Sequence, residues 1–306
     1  LESQKYPDLR DASGNPVSPY DVTAHTLSLL MGVEAKPVYA PARYRKVEKS
    51  LLTGGGGDLR EIKRLALYKS HVPSMDEGWT RWVLKRELYK AARFSPSSVQ
   101  DAELRAGNLR AKYDTIVIPD QSPAAILEGY RVGRMPAELT GGVGAEGVKA
   151  LREFVEAGGT LVCLNRASNF AIEQLRLPVR DVVAGLKRTE FYAPGSILRT
   201  EIDTTHPLAA GLPKESIAWV ENSPVFEVSD NSEAGRVRVV ARYPASSEPL
   251  LSGWLLGGER MRGRAALVEV TMGRGRVILF GFRPQYRGQS LATYPLFFNA
   301  ISRGGF

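Results

Sequence analysis

Cysteine is almost absent from this 306-residue chain, in which Cys163 stands alone. A single thiol closes no internal disulfide and cannot supply the two to four thiolates of a structural zinc cage. Histidine is nearly as scarce, with only His25, His71 and His206. None is followed by Glu three residues later or by His four later, so the helical two-ligand pattern of zinc enzymes is missing and no metal site is expected. Long apolar runs are lacking too. The longest, such as Thr160 to Leu164 and Val277 to Phe280, have strand length and fall well short of the roughly 18 to 20 residues that cross a bilayer, so no membrane span is expected.

A nucleophile elbow of the form Gly-x-Ser-x-Gly is absent, and so is the Gly-Lys-Ser/Thr ending of a phosphate loop. Gly142-x-Gly144-x-x-Gly147 matches the dinucleotide fingerprint by letter, but that motif must leave a strand directly, and Met135 to Thr140 reads as loop. No cofactor is therefore expected. The first residues, from Leu1 to Asp8, carry neither an initiator Met nor a basic start with an apolar core. They suggest a trimmed fragment or a processed product, which leaves secretion of a longer precursor open.

What the chain does have is a basic excess, 41 Lys plus Arg against 33 Asp plus Glu. Arginines at 260, 262, 264, 274, 276, 283 and 287 face one acid, Glu269, over the same stretch. Such a cluster makes either an anion-attracting face or ordinary solubility and turn chemistry. Without a recognisable module or aromatics interleaved with the basic residues, nucleic acid is not an expected partner.

Element patterns divide the chain near residue 60. Residues 1 to 60 read as an N-terminal extension and linker: a proline-rich lead-in, a short helix from Asp21 to Met31 stopped by Gly32, an edge strand at 36 to 40, and a linker at 41 to 60 containing Gly54 to Gly57. From 61 to 306 strands and helices alternate. Arg64 to Lys69, Ser97 to Gln100, Asp114 to Pro119 and Thr160 to Leu164 read as strands. Asp76 to Arg93, Ser122 to Tyr130 and Glu146 to Ala157 read as helices. This rhythm predicts a mostly parallel sheet covered on both faces. Later strands at Ile197 to Ile202, Val225 to Val228, Val237 to Arg242 and Ala265 to Val270 lack intervening helices, which predicts antiparallel additions. Gly273 to Gly275 reads as a hairpin turn into Arg276 to Phe282, and Leu291 to Ile301 as a closing helix.

The order of Asp114 to Asp120, Ala157 to Leu164, His206 to Pro213 and Gly273 to Gln285 resembles a class I glutamine amidotransferase-like domain, a three-layer flavodoxin-like α/β fold with its site at the strand ends. Tyr6 to Arg10 with Ser18 to His25, Lys69 to Trp82, and Gly281 to Ser290 resemble the C-terminal amidotransferase-like region of large bacterial proteins whose N-terminal part resembles a carboxypeptidase A type zinc peptidase. This likeness implies a peptidase domain of the parent protein as partner and an extracytoplasmic location, periplasmic or secreted.

Carried across residue by residue, the resemblance finds none of the amidotransferase machinery. The nucleophilic Cys after the strand Thr160 to Leu164 is Asn165 here, with Cys163 two positions early inside the strand. The His-Pro-Glu after the last parallel strand is Arg283-Pro284-Gln285, and Arg is no base near neutral pH. Asp120-Gln121-Ser122 stands where the glycine-rich oxyanion loop is expected.

The implied role is a non-catalytic accessory or ligand-binding domain. Its crevice is expected to gather Asp120, Gln121, Asn165, Arg166, Ser168, Arg283 and Gln285, with Asp76, Glu77, Trp79 and Trp82 on the rim. Those donors suit a small polar, peptide or saccharide ligand bearing carboxylate or hydroxyl groups. The Trp pair at i and i+3 reads more simply as packing on one helix face than as part of the rim. Two alternatives stand beside this: an amide or ester hydrolase using Ser168 or Cys163 with His206 or His71 as base, and a carbohydrate or cell-wall module stacking sugars on Trp79, Trp82, Trp219, Trp254 and Tyr286.

Overall fold

The computed structural model describes residues 5–17, 25–36, 38–39, 64–86, 96–229 and 236–302. The first helix is a short one, α1 (Leu27–Met31), ended by Gly32 at φ 67°. It begins later than the sequence suggests because His25 and Thr26 are not helical, and the Thr26 hydroxyl lies 2.8 Å from that of Ser252. Asp21 and the linker at 41 to 60 lie outside the described residues. The expected edge strand at 36 to 40 does not form at Lys36, Val38 or Tyr39; Val38 and Tyr39 are exposed, with no neighbouring strand among the described residues to pair with. Residues 37 and 40 lie outside the description.

Strands and helices then alternate as β1 (Leu65–Tyr68), α2 (Met75–Lys85), β2 (Ser97–Val99), α3 (Asp101–Arg105), α4 (Leu109–Lys112), β3 (Thr115–Ile118), α5 (Pro123–Leu127), α6 (Gly144–Glu156), β4 (Thr160–Leu164) and α7 (Ala167–Leu175). Helix α2 stops at Lys85 because Arg86 is extended; residues 87 to 93 of the expected helix lie outside the description. Helix α5 is shorter than the sequence suggests, since Gly129 turns to φ 61° and Tyr130 bridges to Gly141.

Next come β5 (Val179–Asp181), β6 (Pro194–Ile202), β7 (Glu215–Glu221), β8 (Phe226–Val228), β9 (Val237–Arg242), β10 (Leu250–Ser252), β11 (Ala265–Met272), β12 (Gly275–Phe280) and α8 (Tyr294–Ile301). A separate 3-10 turn at Leu291–Thr293 leads into α8.

Five strands form a parallel block in the order β2-β1-β3-β4-β12. With β12 counted fifth this is the flavodoxin-like order 2-1-3-4-5. The tight β11–β12 hairpin, turned at Gly273-Arg274, adds β11 antiparallel beyond β12, and β9, β6 and β10 continue outward.

The period of two along each parallel strand divides the core. Leu65, Leu67, Val117, Val162, Leu164, Ile278 and Phe280 face α2 and α8, whereas Ala66, Tyr68, Ile116, Ile118, Leu161, Cys163, Val277 and Leu279 face α3 to α7. On α6 the apolar stripe Leu151, Phe154 and Val155 is fully buried, worth roughly 1.5–3 kcal/mol per side chain. That pleat places Cys163 beneath α6 and α7, away from the strand-end opening.

Candidate functional site at the strand ends

The carboxyl ends of β1, β3, β4 and β12 converge because the four strands are parallel neighbours in register. Asp120 follows β3, Asn165 and Arg166 follow β4, Arg283 follows β12, and Asp76 opens α2 after β1.

Asp120 is the hub and its side chain is almost fully buried. It accepts from Asn165 Nδ2 at 3.1 Å, from the Arg166 backbone N–H at 3.1 Å, from Arg166 Nε and Nη2 at 2.9 Å each, and from Arg283 Nη2 at 2.6 Å. Burial alone would raise its pKa, but the hydrogen bonds from Arg166 and the charges of both arginines outweigh it and hold the carboxyl below its ordinary value.

Arg283 is shared among three acids. Besides Asp120 it pairs with Glu221 through Nη1 and lies 3.5 Å through Nε from Asp76 Oδ2. Its backbone N–H donates to Trp219 O, and its guanidinium sits 5.5 Å from the Trp219 ring centroid. Burial disfavours its charge, yet the carboxylates of Asp76, Asp120 and Glu221 keep it firmly protonated. Asp76, the most distant of the three, is pushed up to about 6 by burial, with Arg283 opposing and the negative charges of Asp120 and Glu221 adding to the rise.

Gln285 is fully buried and donates to Asp76 Oδ1 at 3.2 Å and to Thr80 Oγ1 at 3.0 Å. Asp120, Asn165, Arg166, Arg283 and Gln285 thus meet at the strand ends, as a network in which the guanidiniums are already paired with carboxylates. The arginines expected to receive a ligand carboxylate already hold Asp120, Asp76 and Glu221, which corrects that expectation.

Glu221 is a member that the sequence does not announce. It ends β7, whose buried run Ile217-Ala218-Trp219-Val220 lacks the alternation that marks a strand; the switch from that run to an acid and Asn222 is the available signal.

Three expected members point elsewhere. Gln121 donates to Val72 O at 2.9 Å, on the β1 side. Glu77 accepts from Arg81 Nε at 2.8 Å, one helical turn along. Ser168 lies within the first turn of α7 rather than on an open turn, fully buried, its Oγ donating to the carbonyls of Cys163 (3.1 Å) and Phe280 (2.9 Å).

The hydrolase alternative loses its geometry here. Burial pushes the Cys163 thiol well above its usual range, and neither Ser168 nor Cys163 hydrogen-bonds to a histidine among the described residues. His206 accepts from the Leu208 N–H on Nδ1 and faces Glu269 at 3.6 Å on Nε2, out on the antiparallel extension. Among the described residues no cluster of three or more His, Cys, Asp or Glu side chains could hold a metal ion.

The sugar-platform alternative is corrected as well. Trp219 and Trp254 are 1% and 2% exposed, and Trp219 stacks on Tyr286 with centroids 3.4 Å apart. Trp79 and Trp82 are partly exposed and meet edge to face. Arg86 covers one Trp82 face at 4.4 Å, and Gly288 packs so closely on the ring that a Cβ there would fall 2.3 Å away. The arginine-rich stretch is not one open face either, since Arg264, Arg276 and Arg283 pair with Glu227, Glu269 and Asp120.

No protein-family model matches the sequence, and neither does any curated protein. Among solved structures the chain is similar to a ThuA-like protein from Bacteroides uniformis (14% identity, TM-score 0.43, covering 86% of this chain and 96% of that one). It is similar also to a cytoplasmic protein from Salmonella typhimurium LT2 (13%, 0.47, 78% and 99%) and to a second ThuA-like protein, from Parabacteroides merdae (15%, 0.44, 78% and 90%).

Proposed function

We propose that this chain is a non-catalytic, amidotransferase-like accessory domain that binds rather than converts at its strand ends. The observation that carries the reading is Asn165. It keeps the left-handed backbone of a strand-to-helix elbow, φ 53°, but its side-chain amide is spent on Asp120. An amide is no nucleophile, and the base position holds an arginine fixed by three carboxylates.

The associated peptidase domain, the zinc carboxypeptidase-like parent and the extracytoplasmic location rest on the sequence resemblance alone and form part of the same proposal. Two measurements test it. The purified chain is assayed for ammonia release from glutamine and for p-nitrophenyl acetate hydrolysis; no turnover above buffer is expected, and turnover abolished by Asn165→Ala or Ser168→Ala would overturn the non-catalytic reading. The parent is then expressed with and without residues 61 to 306. Altered peptidase substrate preference supports a binding accessory, and loss of solubility alone supports a scaffold instead.

A further inference from the structure

The sheet order reverses direction between β1 and β3, because β2 lies on the far side of β1 while β4 and β12 continue beyond β3. In open parallel sheets the crevice at such a reversal, beside the carboxyl ends of the strands, is where ligands bind. A cavity of about 270 Å³ opens at that point, walled by Tyr68 at the end of β1 and Lys69 to Ser74 after it, by Pro119 and Gln121 after β3, and by Glu77 of α2. It is distinct from the closed Asp120 network, although Ser74 joins them by donating to Asp120 O at 2.9 Å.

The charge on its wall is unbalanced. Glu77 is taken by Arg81, and Gln121 is anchored through Nε2 to Val72 O, holding its amide group in place on the wall. Lys69 has no ion-pair partner among the described residues, and His71 and Ser70 stand beside it. Pro73, Pro119 and Tyr68 supply apolar lining, and Lys69, Ser70, His71 and Gln121 supply polar lining from both the β1 and the β3 sides.

We infer that this β1/β3 cavity, and not the elbow at Asn165, is the ligand site, and that it takes a small hydroxylated monoanion whose carboxylate or phosphate pairs with Lys69. The inference rests on the reading that the domain binds rather than converts, and it names where and what.

Calorimetric titration of the full 306-residue chain at low salt tests it, using D-glucuronate as the carboxylate, glucose 6-phosphate as the phosphate and glucose as the neutral control. Saturable binding of one or both anions, weakened at least tenfold in Lys69→Met and in Gln121→Leu, is expected; which anion binds identifies the source of the charge. Equal binding of glucose, anion binding insensitive to Lys69→Met, or no binding by any probe would overturn it. Anion binding lost in Asn165→Ala but kept in Lys69→Met would place the ligand at the elbow, sinking this inference while leaving the non-catalytic reading intact. Turnover at Asn165 would sink that reading instead.

Discussion

Arg283 Nη2 lies 2.6 Å from Asp120 Oδ2, tying the end of β12 to the end of β3 across the place where the sequence resemblance puts a catalytic base and an oxyanion loop. Both side chains are buried, so the pair is sensitive to loss of either partner. Asp120→Ala takes the shared acceptor from two guanidiniums, of which Arg283 keeps Glu221 and Asp76 and Arg166 can turn to water, and we expect a loss of about 3 kcal/mol of unfolding free energy in urea titration, the low end for breaking a buried ion pair. Arg166 is 38% exposed at its side chain, so water can replace its contacts, and Arg166→Ala is expected to cost only about 1 kcal/mol. Equal costs for the two variants would show that the network is not centred on Asp120.

Asp76 and Asp120 shift in opposite directions, which fixes the sign of the acid response. Asp76 rises from 3.8 to about 6 in the folded protein. Between those values the native state holds a proton that the unfolded chain releases, so this group's contribution to stability falls as pH rises through that window. Asp120 does the reverse: its contribution is present above the ordinary carboxylate value and is lost as pH falls through its lowered one. We expect the difference in unfolding free energy between the wild type and Asp76→Asn to change by about 2 kcal/mol from pH 4 to pH 6, in favour of Asn at the higher pH. A flat difference would mean that Asp76 ionises normally.

The parallel half of the fold is legible in the sequence because Asp114 to Pro119 and Thr160 to Leu164 are short apolar runs separated by helical periodicity. The positions of Asn165, Arg166 and Arg283 follow from placing those strands. The pairings do not follow, since Asp120 and Arg283 are 163 residues apart and no local pattern says which of several acids meets which arginine. Ser168 departs from its expected place for a related reason: Asn165 supplies a left-handed turn within one residue, so α7 starts at Ala167 and carries the serine into the core.

Tryptophan exposure separates the four indoles cleanly. Trp79 and Trp82 are 36% and 42% exposed, whereas Trp219 and Trp254 are buried, Trp254 edge-on to Tyr192. Acrylamide is expected to quench about half of the native fluorescence and to leave the rest until the chain unfolds. Trp219→Ala removes the stacking partner of Tyr286 and the ring beside Arg283, and should cost about 3–5 kcal/mol. Trp79→Ala should cost less than about 1 kcal/mol, as expected of a largely surface substitution. Full quenching in the native state would contradict the buried pair.

The glycine fingerprint at 142 to 147 has a packing explanation that can be tested apart from any ligand. A Cβ on Gly142 would fall 2.5 Å from Ile126 O and 2.7 Å from Gly129 N, so the backbone at the end of α5 and just after it touches the backbone before α6 directly. A Cβ on Gly147 would meet Val143 Cγ1 at 2.7 Å, a side chain that can turn aside, whereas Gly144 sits in open space at φ 60°. Backbone cannot yield as a methyl group can. Gly142→Ala is therefore expected to destabilise by about 1–3 kcal/mol, more than Gly147→Ala, with no change in nicotinamide nucleotide binding, which should be absent in both. Measurable dinucleotide affinity lost in Gly142→Ala would restore the cofactor motif that the loop before it argues against.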